Sequence, residues 1–363
     1  MTAKRPHKGK NTSCKMILSN IMASLLLVLL MTSNVAIAKD LGVIQPYLIL
    51  GGTKGSTIEQ FNEPEAVAFM KDGRLLAGDT KNGRFKIYTI SDHMLTIQTV
   101  GEPGRGPCQF DNSLAVILRN GRKIFNEVSG IASNSKDEIY VVDQGSRRLL
   151  VFDASGICLK KRAIDLAPYL VPPDPADGTS YSSIQGLAID ELDNIYLTDT
   201  GTRRIYKFHK DGTPDPEFHF RLKDANNKYL LDDPESMVIR GKNLYVADEN
   251  HQMIKVFDRI TGGDTGKVIG HPDLFERDVE GLAIYQDFLF AINEESGQVM
   301  IFDLKKEQAP LIGYFGKKGL APGRFLSADG VAVSSDGNYI AVADQGNFRV
   351  QVFLLQEILE AIK

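Results

Sequence analysis

The chain has 363 residues, of which 43% are hydrophobic and 24% charged, and its formal net charge is −4. This is ordinary globular composition, long enough to bury a core. The acidic balance weighs against a nucleic-acid binder, which needs basic surface to neutralise phosphates, and the lack of tryptophan weighs against folds that stack a flat cofactor on indole rings.

The first predicted element is a leader. Lys4, Arg5, Lys8, Lys10 and Lys15 come with no acid among them, and an apolar run follows at 21–31. Ala36-Ile37-Ala38 then supplies the small-x-small pattern that a signal peptidase needs. Residues 1–38 read as a secretory signal cut after Ala38. The rival is an uncleaved anchor, but the run is short of the roughly 20 residues of a span. Cys14 precedes the run, so it is not placed like a lipid-modified cysteine. The protein is expected in the periplasm or secreted, with no membrane span after cleavage. Setting aside the five leader charges takes the net charge from −4 to −9.

An apolar stretch at 43–50 comes next, and then a repeat. Six segments open a short apolar strand with a small or acidic residue: Glu65, Ser129, Gln185, Glu235, Glu280 and Asp329. A polar turn follows, and a second strand ends in Asp79, Asp143, Asp199, Asp248, Asn293 or Asp344. Nine residues after each sits an aromatic: Tyr88, Phe152, Phe208, Phe257, Phe302 and Phe353. The copies span about 61–100, 125–164, 181–222, 231–269, 276–314 and 325–355. Strands a, b and c are rich in Val, Ile, Leu and Tyr and are separated by Gly/Asp/Asn turns; a strand d is expected after each aromatic. Six four-stranded antiparallel repeats predict one all-β domain at 39–363, a six-bladed β-propeller. The last copy runs into a helix-like stretch at 354–363, so the 43–50 strand is expected to complete it and close the ring.

Cys108 and Cys158 are the cysteines left after the leader. They either pair, as an oxidising compartment permits, or stay apart as two small buried side chains. Two cysteines give no metal or catalytic pattern, and the histidines share no repeat position, which argues against a His-ligated zinc. No glycine-rich phosphate loop leads from a strand into a helix, and no Ser or Cys nucleophile sits in a recognisable motif.

Propeller geometry places the candidate site. Strand a runs down the central channel from one face, here the top. The strand a openers, the b–c turns and the d–a connections share that face, and Pro172-Pro173-Asp174-Pro175, within a long d–a connection, reads as an irregular loop expected to rim it. Four of the six openers are acids, and Asp278 lies two residues before Glu280. Converging carboxylates stay protonated or take a cation. Calcium, with its hard oxygen ligands, suits this set; zinc would want His or Cys. The plainer alternative is a hydrated polar channel without an ion. Arg84, Arg148, Arg204 and Arg349 lie five residues after the strand-end Asp, as expected of a structural Asp/Arg brace. Blades 4 and 5 have Met253 and Gln298 there, and acid-rich turns containing Glu249, Glu294 and Glu295. The first three turns also carry Lys81, Arg147 and Arg203. The top face is therefore expected to be acidic over blades 4–6 and basic over blades 1–3, which suits a polyanion bridged by calcium.

Two resemblances are visible in the residues. Gly101-Glu102-Pro103-Gly104-Arg105-Gly106-Pro107-Cys108-Gln109-Phe110 and the hairpin Asp143-Gln144-Gly145-Ser146-Arg147-Arg148 resemble NHL repeats, a family that implies a propeller but serves as binding platform and enzyme alike. Asp278-Val279-Glu280-Gly281-Leu282-Ala283-Ile284-Tyr285 resembles the Asp-x-Glu-Gly-Leu-x-Ile-Tyr segment of the β-propeller phytases, and the blades around Pro234-Glu235 and Ala328-Asp329-Gly330 are similar to that family's flanking blades. The second likeness implies calcium-ligand roles for Glu235, Asp278, Glu280 and Asp329, with Glu249 and Gln345 joining them. The family's early Asp-Asp-Pro-Ala-Ile-Trp segment is absent; Asn62-Glu63-Pro64-Glu65-Ala66-Val67 stands there.

Together these readings give an expected activity: a calcium-binding, phytase-like phosphomonoesterase, monomeric, with Lys81, Arg147 and Arg203 holding a phosphorylated small molecule. No catalytic residue is assigned. The alternatives are a non-catalytic NHL platform for a protein or glycan, and a calcium-dependent lactonase-like propeller.

Overall fold

The structure, a computed structural model, describes residues 38–91, 94–117, 123–125, 127–172, 182–275 and 278–363. The leader at 1–37 and most of the Pro172–Pro175 loop lie outside the described residues.

Six antiparallel sheets stand around a central channel. Their innermost strands are Val67–Phe69, Val128–Ser133, Ile184–Ile189, Pro234–Arg240, Val279–Tyr285 and Ala328–Val333. Each contacts the next, and the sixth contacts the first, so the circle is closed. The six repeat aromatics are all buried. They sit in apolar clusters shared between neighbouring blades, each ring stabilising by about 1.5–3 kcal/mol.

Leu48–Gly51 pairs antiparallel with Arg349–Leu354 and forms the outer strand of blade 6, as the apolar stretch at 43–50 predicts. Leu355–Ala361 is a helix that buries Leu355, Ile358 and Leu359. Lys39–Asp40 adds a fifth, parallel strand to blade 5, a pairing that no repeat pattern announces. Blade 3 corrects the expectation of four strands throughout: its sheet has three, Ile184–Ile189, Ile195–Asp199 and Arg204–Phe208. Only the bridge Phe208↔Pro214 marks the outer position. The reason is Pro214 and Pro216, which have no N–H to donate to a ladder.

The strand-end aspartates explain the repeat. Oδ1 of Asp79, Asp143, Asp199, Asp248 and Asp344 accepts the backbone N–H of Asn62, Asp111, Ser183, Asp232 and Leu326 at 2.8–2.9 Å. Each bond ties the b–c turn to the loop feeding strand a of the same blade. Oδ2 then takes the arginine of the brace in three blades: Arg84 at 2.7 Å, Arg148 at 2.8 Å and Arg349 at 2.8 Å. The same guanidinium donates to loop carbonyls, Arg148 to those of Gly106 and Gln109 and Arg349 to those of Ala321 and Arg324. The brace expected in blade 3 is not made. Among the described residues Arg204 forms no pair with Asp199, whose Oδ2 accepts the Ser182 hydroxyl at 2.7 Å instead.

The lead-in loops of blades 1, 2 and 6 close on a buried phenylalanine. Phe61, Phe110 and Phe325 each bridge back to Lys54, Pro103 and Lys318. Cys108 in the second of these loops forms a disulfide with Cys158, which settles the open choice between pairing and separate burial.

Strand a starts irregularly. In blade 4 Pro234 faces Asp248 and Met237 faces Val246, so the register shifts across Glu235 and Ser236. The same shift spans Gln185-Gly186, Glu280-Gly281 and Asp329-Gly330. Two residues then oppose one, a bulge that re-aims a side chain. The small second residue has a steric cause: a Cβ on Gly281 would come within 2.3 Å of the Asp329 carbonyl oxygen, and one on Gly330 within 2.2 Å of that of Glu65.

Two outcomes follow for urea unfolding. Arg148→Met should cost about 2–3 kcal/mol, the worth of hydrogen bonds to a charged group, whereas Arg204→Met should cost less than half of that. Equal losses would mean that the Asp/Arg contact is not what fixes the hairpin.

Candidate functional site

The channel opens as a cavity of about 910 Å³ whose mouth is built from three tiers. The strand a openers form the first: Glu65, Ser129, Gln185, Glu235, Glu280 and Asp329 all line it. The residues two positions earlier form the second, of which Glu63, Glu127, Ser183 and Asp233 line it. The third comes from the b–c turns and supplies Lys81, Gln144, Thr200, Glu249 and Gln345. Sequence reading found the first tier and missed most of the second. The signal was present in Asp278, two before Glu280; applied to the other blades, the same offset finds Glu63, Glu127 and Asp233.

Blade 4 brings the tiers closest. Oxygens of Asp233, Glu235 and Glu249 lie within 4.8 Å of one another. Local structure fixes them. Asp248 holds the Asp232 N–H, and the Glu249 and Asn250 N–H groups donate to the carbonyls of Asp233 and Asp232 at 3.0 and 3.1 Å. Asp233 has φ 76°, a left-handed conformation in which aspartate is among the better-tolerated residues. Where other blades carry a brace arginine, Asp248 pairs with His251 at 2.6 Å and Lys255 at 3.2 Å.

Of the expected metal ligands, Glu235 and Glu249 belong to this triplet, with Asp233 as its third member. Glu280 and Asp329 line the mouth beside it. Asp278 is not among the lining residues, though its charge acts on Glu249 and Glu280, and its carbonyl accepts the Glu294 N–H at 3.3 Å. Gln345 donates to Glu65 at 2.9 Å on the opposite side. Glu294, unassigned from sequence, accepts the Ser327 hydroxyl.

The expected basic half is not assembled. Lys81 lines the mouth, but Arg147 and Arg203 do not. Lys81 is the second residue after its strand-end aspartate, whereas Arg147 and Arg203 are the fourth after theirs. That fourth position is left-handed in the turn, φ 49° at Arg147 and 58° at Arg203, so the side chains leave in a different direction. Arg147 is exposed. Arg203 pairs with Asp232 at 2.6 Å and covers the Tyr229 ring. The expected charge split is corrected as well: Glu63, Glu65 and Glu127 make blades 1 and 2 acidic too, with Lys81 paired to Glu127 and 3.8 Å from Glu63. Among the described residues, the polar side chains that blade 3 contributes are the neutral Ser183, Gln185 and Thr200.

Burial first, and mutual repulsion second, push the carboxyls of Glu65, Glu235, Glu280 and Asp329 well above their usual range. Each touches channel solvent and is only half-buried by surface, but protein surrounds the channel, so the charges are poorly solvated. The same causes lift Glu249 to about 8 and Asp233 to about 6. Oδ2 of Asp329 is buried and has no hydrogen-bond partner among the described residues. Such a set holds protons or a hard cation. Oxygens on opposite sides of a calcium ion are about 4.6–5.2 Å apart, twice its ligand distance, so the blade 4 triplet fits. No histidine or cysteine is among the described lining residues, which disfavours zinc.

No family model matches the chain, and no curated protein matches it. The likeness to NHL repeats and to the phytases therefore stands on the quoted segments alone, and what is established is the class: a six-bladed β-propeller.

The raised carboxyls set a pH dependence. A carboxyl whose folded pKa exceeds its unfolded value, near 4.3, binds more protons in the folded state, so stability falls as pH rises between the two. With divalent cations chelated, the melting temperature should fall from about pH 5 to about pH 8, and Glu249→Gln should flatten the part above about pH 6. A melting temperature that is level across this window would contradict the crowded-carboxylate picture.

Proposed function

We propose that the propeller binds a divalent cation, calcium above all, at its channel mouth and uses it to hydrolyse a phosphomonoester on a small molecule. The observation that carries this reading is the Asp233–Glu235–Glu249 triplet, whose oxygens lie within 4.8 Å of one another at the head of a channel large enough for a small ligand. Calcium bound there would polarise a phosphoryl oxygen and lower the pKa of a hydrolytic water. Glu235, Asp233 and Glu249 would hold it, with Glu280 and Asp329 alongside. The expected roles of Asp278 and Gln345 reduce to tuning and positioning: Asp278 acts on its neighbours by charge, and Gln345 orients Glu65. Arg147 and Arg203 lie outside the lining residues, so phosphate recognition falls to the cation and Lys81.

A lactonase-like reading also has an observation in its favour. The blade 2–3 wall offers Ser129, Gln144, Ser183, Gln185 and Thr200, neutral hydroxyls and amides that suit a neutral ester better than a phosphate. A binding platform for a protein or glycan would use the same mouth without turnover.

Export is proposed on the leader-like N-terminus and on the Cys108–Cys158 disulfide, which suits an oxidising compartment. No helix among the described residues is long and apolar enough to cross a membrane.

Purified residues 39–363 should release phosphate from a panel of phosphomonoesters in calcium and stop in chelator, and Glu235→Gln should lower the rate at least 100-fold. Lactone opening without phosphate release moves the assignment to the second reading. No turnover of either class by folded, calcium-loaded protein leaves the platform.

A further inference from the structure

The blade 1–2 side of the mouth also gathers three carboxylates, Glu63, Glu65 and Glu127, but a cation of the chain's own stands among them. Lys81 Nζ pairs with Glu127, lies 3.8 Å from Glu63 Oε2, and its charge acts on Glu65. Its backbone is clamped: the Lys81 N–H donates to the Asn62 carbonyl at 3.1 Å, Asn112 Nδ2 donates to the Lys81 carbonyl at 3.3 Å, and the Thr80 hydroxyl donates to the Val128 carbonyl at 3.1 Å. At the same turn position the other blades have Gly145, Gly201, Asn250, Glu295 and Gly346, none with a positive charge. Among the described residues lining the mouth, Lys81 is the one basic side chain.

We propose that Lys81 is a built-in counter-ion that fills a second cation position, so that soluble cations are confined to the blade 4 side. The inference builds on the cation reading above and sets its specificity: one half of the mouth is neutralised covalently, the other by an exchangeable ion. An ammonium on a four-carbon stem is a compact point charge and can stand where a small metal ion would. It also explains why a lysine lining the mouth does not act as a free phosphate clamp: its charge is already engaged by carboxylates.

Lys81→Met keeps the stem and removes the charge; Lys81→Arg keeps the charge. In calcium titration calorimetry on chelator-stripped, buffer-exchanged protein, Lys81→Met should bind one more calcium per chain than the wild type, and Lys81→Arg the same number as the wild type. A folded Lys81→Met variant with the wild-type count overturns the proposal. If the variant unfolds in chelator, millimolar calcium should restore its far-UV circular dichroism, and a variant that stays unfolded in calcium overturns it as well. A wild type that binds no calcium refutes the cation reading of blade 4 by itself; Lys81→Met would then be expected to gain its single site.

Discussion

In five of the six blades the aspartate that ends strand b turns one oxygen to the backbone N–H of the loop leading into strand a. The bond is made by a buried charge, so it is short and directional, and leaving either partner unpaired is costly. In those five blades the channel mouth hangs from it. The loop it holds delivers the strand a opener, and the bulge that follows turns that opener toward the channel. Asp248 is the case with chemical consequences, because the N–H it fixes belongs to Asp232, one residue before Asp233. The scaffold contact and the triplet are two ends of the same short segment.

The mouth is an electrostatic problem with unequal solutions around the ring. Among the described residues, blade 3 lines it with neutral side chains. Blades 1 and 2 answer three carboxylates with Lys81. Blade 4 has three carboxylates and no ammonium among the described lining residues, and its Lys255 is spent on Asp248 and the Leu230 carbonyl. Burial and repulsion together exceed what water in a narrow channel can offset, which is why the carboxyls there are held toward their protonated forms. A cation that binds the triplet displaces those protons, so affinity and acidity are coupled in one site.

Much of the fold was legible because the repeat is spelled out in residues with a single physical job. The nine-residue interval from Asp143 to Phe152 and from Asp344 to Phe353 records a hairpin whose first residue pins a loop and whose last fills the core between blades. Glycine at 186, 281 and 330 records the close approach of neighbouring strands. The outer strands were less legible, since solvent-facing strands carry little pattern: blade 3 lacks its fourth strand through Pro214 and Pro216, and the Lys39–Asp40 pairing has only two residues to announce it. The site was half legible. Openers such as Glu235 follow from repeat register, but the direction of a turn residue depends on its backbone conformation, which separates Lys81 from Arg147 and Arg203. Asp233 was overlooked although its offset from Glu235 equals that of Asp278 from Glu280.

The central claim is that the blade 4 triplet is a cation site, and anomalous diffraction tests it most directly. Crystals grown in calcium, and a second set exchanged into terbium, should show an anomalous peak within about 2.3–2.6 Å of oxygens from Asp233, Glu235 and Glu249, and the peak should vanish in Glu235→Gln crystals. An ordered mouth with only water among these carboxylates, at saturating metal and neutral pH, would contradict the account.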